Sequence, residues 1–123
     1  MAVNENLFEK LKVWQLAHRV TLEIYKLISK FPDSEKHALI DQIRRSAASI
    51  PANIVEGNER QTAKEFRQFL FMAKGSAAET KYHLILARDL GYLGHEDCNK
   101  LLGELNEIGK MISGVVRYLK SKV

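Results

Sequence analysis

The sequence predicts an all-α protein, an up-down-up-down antiparallel four-helix bundle with a kinked second helix. Three observations predict it. Apolar residues recur at a mean spacing near 3.5 along four long segments, the period of helices packed nearly parallel to their neighbours. No segment alternates apolar and polar residues for long, and no Asn-Gly hairpin signal occurs. Breaks at Phe31-Pro32-Asp33-Ser34, Gly57-Asn58 and Leu90-Gly91 leave rods of roughly 20–28 residues joined by short turns, the spacing of an up-and-down bundle.

The first helix is expected over about 9–30. Its seam is Val13, Ala17, Val20, Ile24, Leu27 and Phe31, widened by Trp14, Thr21 and Ile28. Pro32 ends it, because the residue before a proline avoids the helical region. The second helix is expected over about 34–57, with Asp33 or Ser34 as N-cap and Glu35 as a favourable acid in the first turn. Its stripe is Ile40, Ile43, Ala47, Ile50, Ile54 and Gly57. Pro51 lacks an N–H and crowds the carbonyl of Ala47, yet the stripe continues beyond it in register, so one bent helix is expected. Gly57-Asn58 is the expected C-terminal cap.

The third helix, about 62–90, opens on the capping box Thr62-Ala63-Lys64-Glu65. Phe66, Leu70, Ala73, Ala77, Thr80, Leu84 and Ala87 form its stripe. The small middle of that stripe, with Gly75 and Ser76 beside it, is expected to admit a close neighbour. The fourth helix, about 95–121, places Glu96 and Asp97 at its positive end and Arg117, Lys120 and Lys122 at its negative end. Leu101, Leu105, Ile108, Ile112, Val115 and Leu119 are its stripe. All 123 residues read as one domain, 1–123, large enough for a core without disulfides or metal.

Composition narrows the class. Hydrophobic residues make up 46% of the chain, too many for a disordered protein, and no apolar run approaches the ~20 residues of a membrane span. The lone Cys98 cannot form an internal disulfide, and MAVNENLFEK does not read as a signal peptide. Both point to a reducing cytosol, with no membrane. Apolar residues off the seams, among them Ala48, Pro51, Val55, Phe71, Met72, Ala78 and Ile85, favour a homo-oligomer.

The charge pattern carries the functional expectation. Lys and Arg outnumber Asp and Glu by 19 to 15. Arg60, Arg67, Lys74, Lys81 and Arg88 recur every seven residues, and Lys64 joins them near the start. Such a row extends up to ~40 Å along a helix. A line of cations on that scale can meet a phosphate backbone repeatedly without reading base sequence. Long charged side chains also belong at outer positions of any bundle, but such surfaces usually mix both signs. Arg44, Arg45, Arg117, Lys120 and Lys122 extend the field. RNA and DNA are both compatible with it. A protein-interaction scaffold, in which the cations serve only solubility, is the alternative.

A second polar stripe, Gln42, Ser46, Ser49, Asn53, Glu56 and Arg60, lies about a quarter turn from the apolar one on the second helix. It reads as a solvated face or a hydrogen-bonded seam, with Ser76 and Glu79 as candidate partners, or else as a ligand site. Catalytic and cofactor signals are missing: H-E-x-x-H, the P-loop and G-x-G-x-x-G do not occur. Glu79 and His83 have the wrong spacing for a di-iron Glu-x-x-His motif and read as one turn of helix surface. Cys98 reads as an idle thiol. Glu104 and Glu107 form one of many ordinary carboxylate pairs. No enzyme, metal or cofactor is expected.

The run Asp41-Gln42-Ile43-Arg44-Arg45-Ser46-Ala47-Ala48-Ser49-Ile50-Pro51-Ala52-Asn53-Ile54-Val55-Glu56-Gly57 resembles the signature of the 23S rRNA-intervening-sequence proteins. Phe8-Glu9-Lys10-Leu11-Lys12-Val13-Trp14 looks like that family's opening. Phe69-Leu70, Ala73-Lys74-Gly75-Ser76 and Glu79 resemble its third helix, and Leu90-Gly91-Tyr92-Leu93 its last turn. The resemblance covers about residues 8–120. Val55 stands where alanine is common, and Ala77-Ala78 where a larger apolar residue often occurs. The resemblance implies a bacterial cytoplasmic four-helix bundle assembled as a ring-shaped homopentamer, with a biochemical role poorly established. In architecture it is also similar to the accessory variability protein of diversity-generating retroelements. That basic pentamer binds nucleic acid and a reverse transcriptase. An accessory role beside a reverse transcriptase, with no direct nucleic-acid contact, is therefore a further alternative.

Overall fold

A computed structural model describes residues 7–122, without the side chains of 35–37. The readings that touch residues 1–6, residue 123 and the Glu35 side chain lie outside the described residues. Within them are four α-helices and no strand. A 3-10 turn, Leu7–Lys10, precedes α1 (Lys12–Ile28). A 3-10 turn, Asp33–Glu35, and a π turn, Lys36–Ile40, lead into α2 (Asp41–Asn58). Then follow α3 (Ala63–Asp89) and α4 (His95–Lys120). The regular part of the second helix thus starts later than residue 34, because the chain first winds tightly and then loosely. Leu39 and Ile40 are both buried within the wide turn.

Each helix packs on two others: α2 on α1 and α3, and α4 on α3 and α1. The apolar stripes meet in one core. Ile24, Ile43, Ile50, Ile54, Leu70, Leu84, Leu101, Leu105, Ile108 and Ile112 are fully enclosed. The seams drift at two ends. Ile28 is buried where Leu27 was expected, and Val116 where Val115 was expected. A helix turning every 3.6 residues slips against a 3.5-residue seam by ~20° per heptad.

Pro51 is buried inside an unbroken α2. It leaves the Ala47 carbonyl without its usual N–H partner. The Thr21 hydroxyl of α1 lies 3.3 Å from that oxygen while also donating to Ala17 O at 2.8 Å. The proline's orphan is therefore met in part, by a share of that hydroxyl's single proton from the neighbouring helix.

Two glycines correct the expectations. Gly57 is not a cap: α2 continues to Asn58 and is capped at Glu59. A Cβ on Gly57 would lie 2.8 Å from both Phe66 Cδ1 and Phe69 Cβ, so this residue sets the close approach of α2 and α3. Gly75 does not take part in close packing; no atom lies within 4 Å of where its Cβ would be. Gly91, at φ +87°, closes α3. Its N–H reaches Arg88 O at 3.0 Å and that of Tyr92 reaches Ala87 O at 2.9 Å, the paired bonds of a Schellman motif. At the other end Thr62 caps α3, accepting from Glu65 N at 3.1 Å.

Candidate nucleic-acid interface

The buried stripe of α3 fixes how the helix is rotated, and so where its cations point. Leu70, Ala73, Ala77, Thr80, Leu84 and Ala87 face the core. Arg67, Lys74 and Lys81 stand on the flank next to α4. Each reaches across to it. Arg67 Nη1 donates to Leu119 O at 3.4 Å, Lys74 Nζ to Ser113 Oγ at 3.0 Å, and Lys81 Nζ to Asn106 Oδ1 at 2.9 Å. As residue numbers rise along α3, partner numbers fall along α4.

All three acceptors are neutral. A hydrogen bond to a carbonyl or hydroxyl orients a cation without cancelling its charge, whereas a carboxylate would do both. Beneath Lys74 and Lys81 runs a groove of about 670 Å³ floored by Ala77, Ala78 and Gly109. Its opposite wall carries Lys110 and Arg117 of α4. Among the described residues neither is paired with a carboxylate. Four cations from two helices thus border one groove, and Arg67 stands beyond its end on the same flank of α3.

The outer members of the sequence row behave differently. Arg60 is paired with Glu56 at 3.4 Å and lies over the Phe69 ring at 4.6 Å. Arg88 Nε holds Asp89 Oδ1 at 2.9 Å. That bond keeps the Asp89 carboxyl below its ordinary range and raises Arg88. Both arginines have their charge met by an acid one turn away or adjacent in sequence. Lys64 is exposed at the mouth of α3 with no carboxylate partner among the described residues. The six-residue row therefore resolves into a central trio plus Lys64, with two neutralised ends. Lys110 lies outside the row because the row follows one helix and Lys110 stands on its neighbour. Its spacing of seven from Arg117 is the signal that could have found it.

The middle of the α2 polar stripe, Ser46, Ser49 and Asn53, is occupied internally. Ser46 is buried, and its hydroxyl is bonded to Thr80 Oγ1 at 2.9 Å. Ser49 donates to Ser46 O and Asn53 to Ser49 O, both at 2.8 Å. Thr80, rather than Ser76 or Glu79, is the partner on α3. Glu79 instead faces His83 Nε2 at 3.3 Å, one turn along its own helix. Gln42 is exposed. The Cys98 Sγ is buried 3.6 Å from Leu84 O, and burial pushes its thiol pKa up, away from the thiolate that nucleophilic chemistry needs. Among the described residues no three His, Cys, Asp or Glu side chains converge to hold a metal ion. Among them, too, no helix is long and apolar enough to cross a membrane.

A family model described as 23S rRNA-intervening sequence protein matches residues 9–114. Among solved structures, the chain is similar to a protein of unknown function from the S23 ribosomal protein family of Bacteroides thetaiotaomicron. The two share 27% identity over 85% of this chain and 97% of the other, with a TM-score of 0.76. No curated protein matches the sequence.

Proposed function

The chain belongs to the 23S rRNA-intervening sequence protein family, and on that premise we propose that it is a non-catalytic, oligomeric bundle that binds nucleic acid, RNA by preference, along the α3–α4 groove. One observation carries this reading. The central cations are held in place by neutral acceptors, so the groove presents positive charge that no carboxylate of the described chain offsets. Lys110 and Arg117 add charge from the facing helix. A polyanion is the ligand such a surface attracts, through phosphate contacts that position a strand without reading bases.

The finer architecture belongs to the same proposal. The opposed numbering of the α3 and α4 partners supports an antiparallel, up-down-up-down path. Pro51 inside α2 supports a bend there. The family resemblance supports a ring-shaped homopentamer in a bacterial cytoplasm. Exposed Leu22 and Met72 supply apolar surface for contacts between copies, and these same residues favour the scaffold alternative.

The test is the triple variant Arg67→Glu, Lys74→Glu, Lys81→Glu, titrated against RNA in a filter-binding assay. Binding is expected to fall by more than about a hundredfold, because three phosphate contacts become repulsions. Helical circular dichroism should be unchanged, since all three residues lie at the surface of the bundle. A folded triple variant that binds as tightly as the parent rules the groove out and leaves the scaffold.

A further inference from the structure

The outer flank of α3 carries two large aromatic side chains in the open. Phe71 is 54% exposed and Tyr82 is 59% exposed. At 100° per residue they lie within about 20° of each other, roughly 60–80° around the helix from the Arg67, Lys74, Lys81 line and on its solvent side. Along the axis Phe71 falls between Arg67 and Lys74, and Tyr82 is level with Lys81 but borders the hollow on the other flank with Ala38, Leu39 and Gln42. About 16 Å of helix separates the two rings. The surface between them is low. Ala78 is exposed, and the Cβ position of Gly75 looks onto empty space. A glycine in mid-helix is disfavoured relative to alanine and here serves no packing contact. It keeps the shelf flat between two aromatic ends.

Cations along one edge and aromatic faces on the adjoining shelf make the arrangement that holds unpaired bases. Phosphates take the cations while bases lie on the rings. A duplex gains nothing from the rings, because its base faces are already stacked on one another. At ~3.4 Å per stacked nucleotide the shelf between the rings accommodates about four or five nucleotides, within the range for single-strand sites. The cation row beside the shelf complements a polyanion, whereas an isologous contact through this face would set two such rows against each other.

Resting on the nucleic-acid reading above, we infer that the outer face of α3, beside the α3–α4 groove, selects single-stranded over duplex nucleic acid, with Phe71 and Tyr82 as base-stacking platforms. The shared chemistry is an unpaired base on a phosphodiester backbone, whether ribose or deoxyribose.

The probes are single-stranded RNA of about 15 nucleotides, within the range of one such site, the DNA of the same sequence, and the matching duplex. Phe71→Ala and Tyr82→Ala are each expected to weaken single-strand binding about tenfold, with duplex binding changed less than about twofold. Phe71→Trp and Tyr82→Phe should restore it. Both rings are exposed, so folding survives and circular dichroism checks it. Loss on either single strand supports the inference, and the RNA and DNA arms tell which sugar is preferred. Equal loss on duplex and single strand overturns it, as does no loss at all. A change of mass by light scattering in Phe71→Ala also overturns it, making the shelf an interface between copies. A parent protein that prefers duplex overturns the inference and leaves the groove as a nucleic-acid site. A parent that binds none of the probes overturns both.

Discussion

Glu104 holds its charge in poor surroundings, half-enclosed and beside another acid. It projects from α4 toward Glu23 of α1, with Arg19 at 3.6 Å from one oxygen and the other oxygen buried without a partner. Burial raises its pKa, and the neighbouring Glu23 raises it further. Glu23 moves the opposite way, because Lys100 donates to it. An acid whose pKa is raised by folding contributes stability below its unfolded pKa, and loses that contribution as pH rises through the folded value. Glu104→Gln, which imitates the protonated form, is therefore expected to melt above the parent at pH 7. The gap should close as pH falls toward the ordinary range near 4.3. Thermal unfolding followed by circular dichroism across pH reads this directly, and a variant that melts lower at pH 7 contradicts it. None of this was legible in the sequence. Glu104 was visible there only beside Glu107, because its true partner stands on a different helix. The same limit hid Thr21 as the donor to the carbonyl that Pro51 strands.

The helices themselves were largely legible, because burial follows apolar period and every stripe spans several turns. The capping box at Thr62 and the glycine close at Gly91 were legible for a local reason, since both motifs are written in consecutive residues. The π turn at Lys36–Ile40 was not, since nothing in its residue types separates it from an ordinary first turn. Gly57 was visible as a glycine near a helix end, and that position suggested a cap. Only the crossing of α2 and α3 gives it its real role. Gly57→Ala makes the distinction measurable. As a helical residue alanine gains up to ~1 kcal/mol over glycine. Its Cβ would meet Phe69 Cβ at 2.8 Å, an atom anchored to the α3 backbone that cannot swing aside. Overpacking of this kind costs about 1–3 kcal/mol, so the net effect is expected to be a loss of stability. A lower urea midpoint at unchanged slope is the expected reading. A variant more stable than the parent would mean that the helices separate there at little cost.

At the scale of the molecule, charge sorts into places where it is met and places where it is not. Arg60, Arg88 and Lys100 face carboxylates, while Arg67, Lys74 and Lys81 face neutral oxygens. A seven-residue period made the row legible. Whether each member has an acid beside it depends on side-chain geometry at the row's ends and on what α4 offers in its middle. Arg117 is legible in the sequence as part of the wider field, but Lys110, and the place of both on the groove's far wall, follow only from the packing of two helices. On the proposed reading Arg67, Lys74, Lys81, Lys110 and Arg117 share one polyanion. The salt dependence of binding counts them. With single-stranded RNA, log affinity against log salt should fall with a slope of about −3.5, five contacts at about 0.7 each. In Lys110→Gln, Arg117→Gln the slope should become shallower by about 1.4. A slope near zero in the parent, or one unchanged in the double variant, would contradict a shared groove.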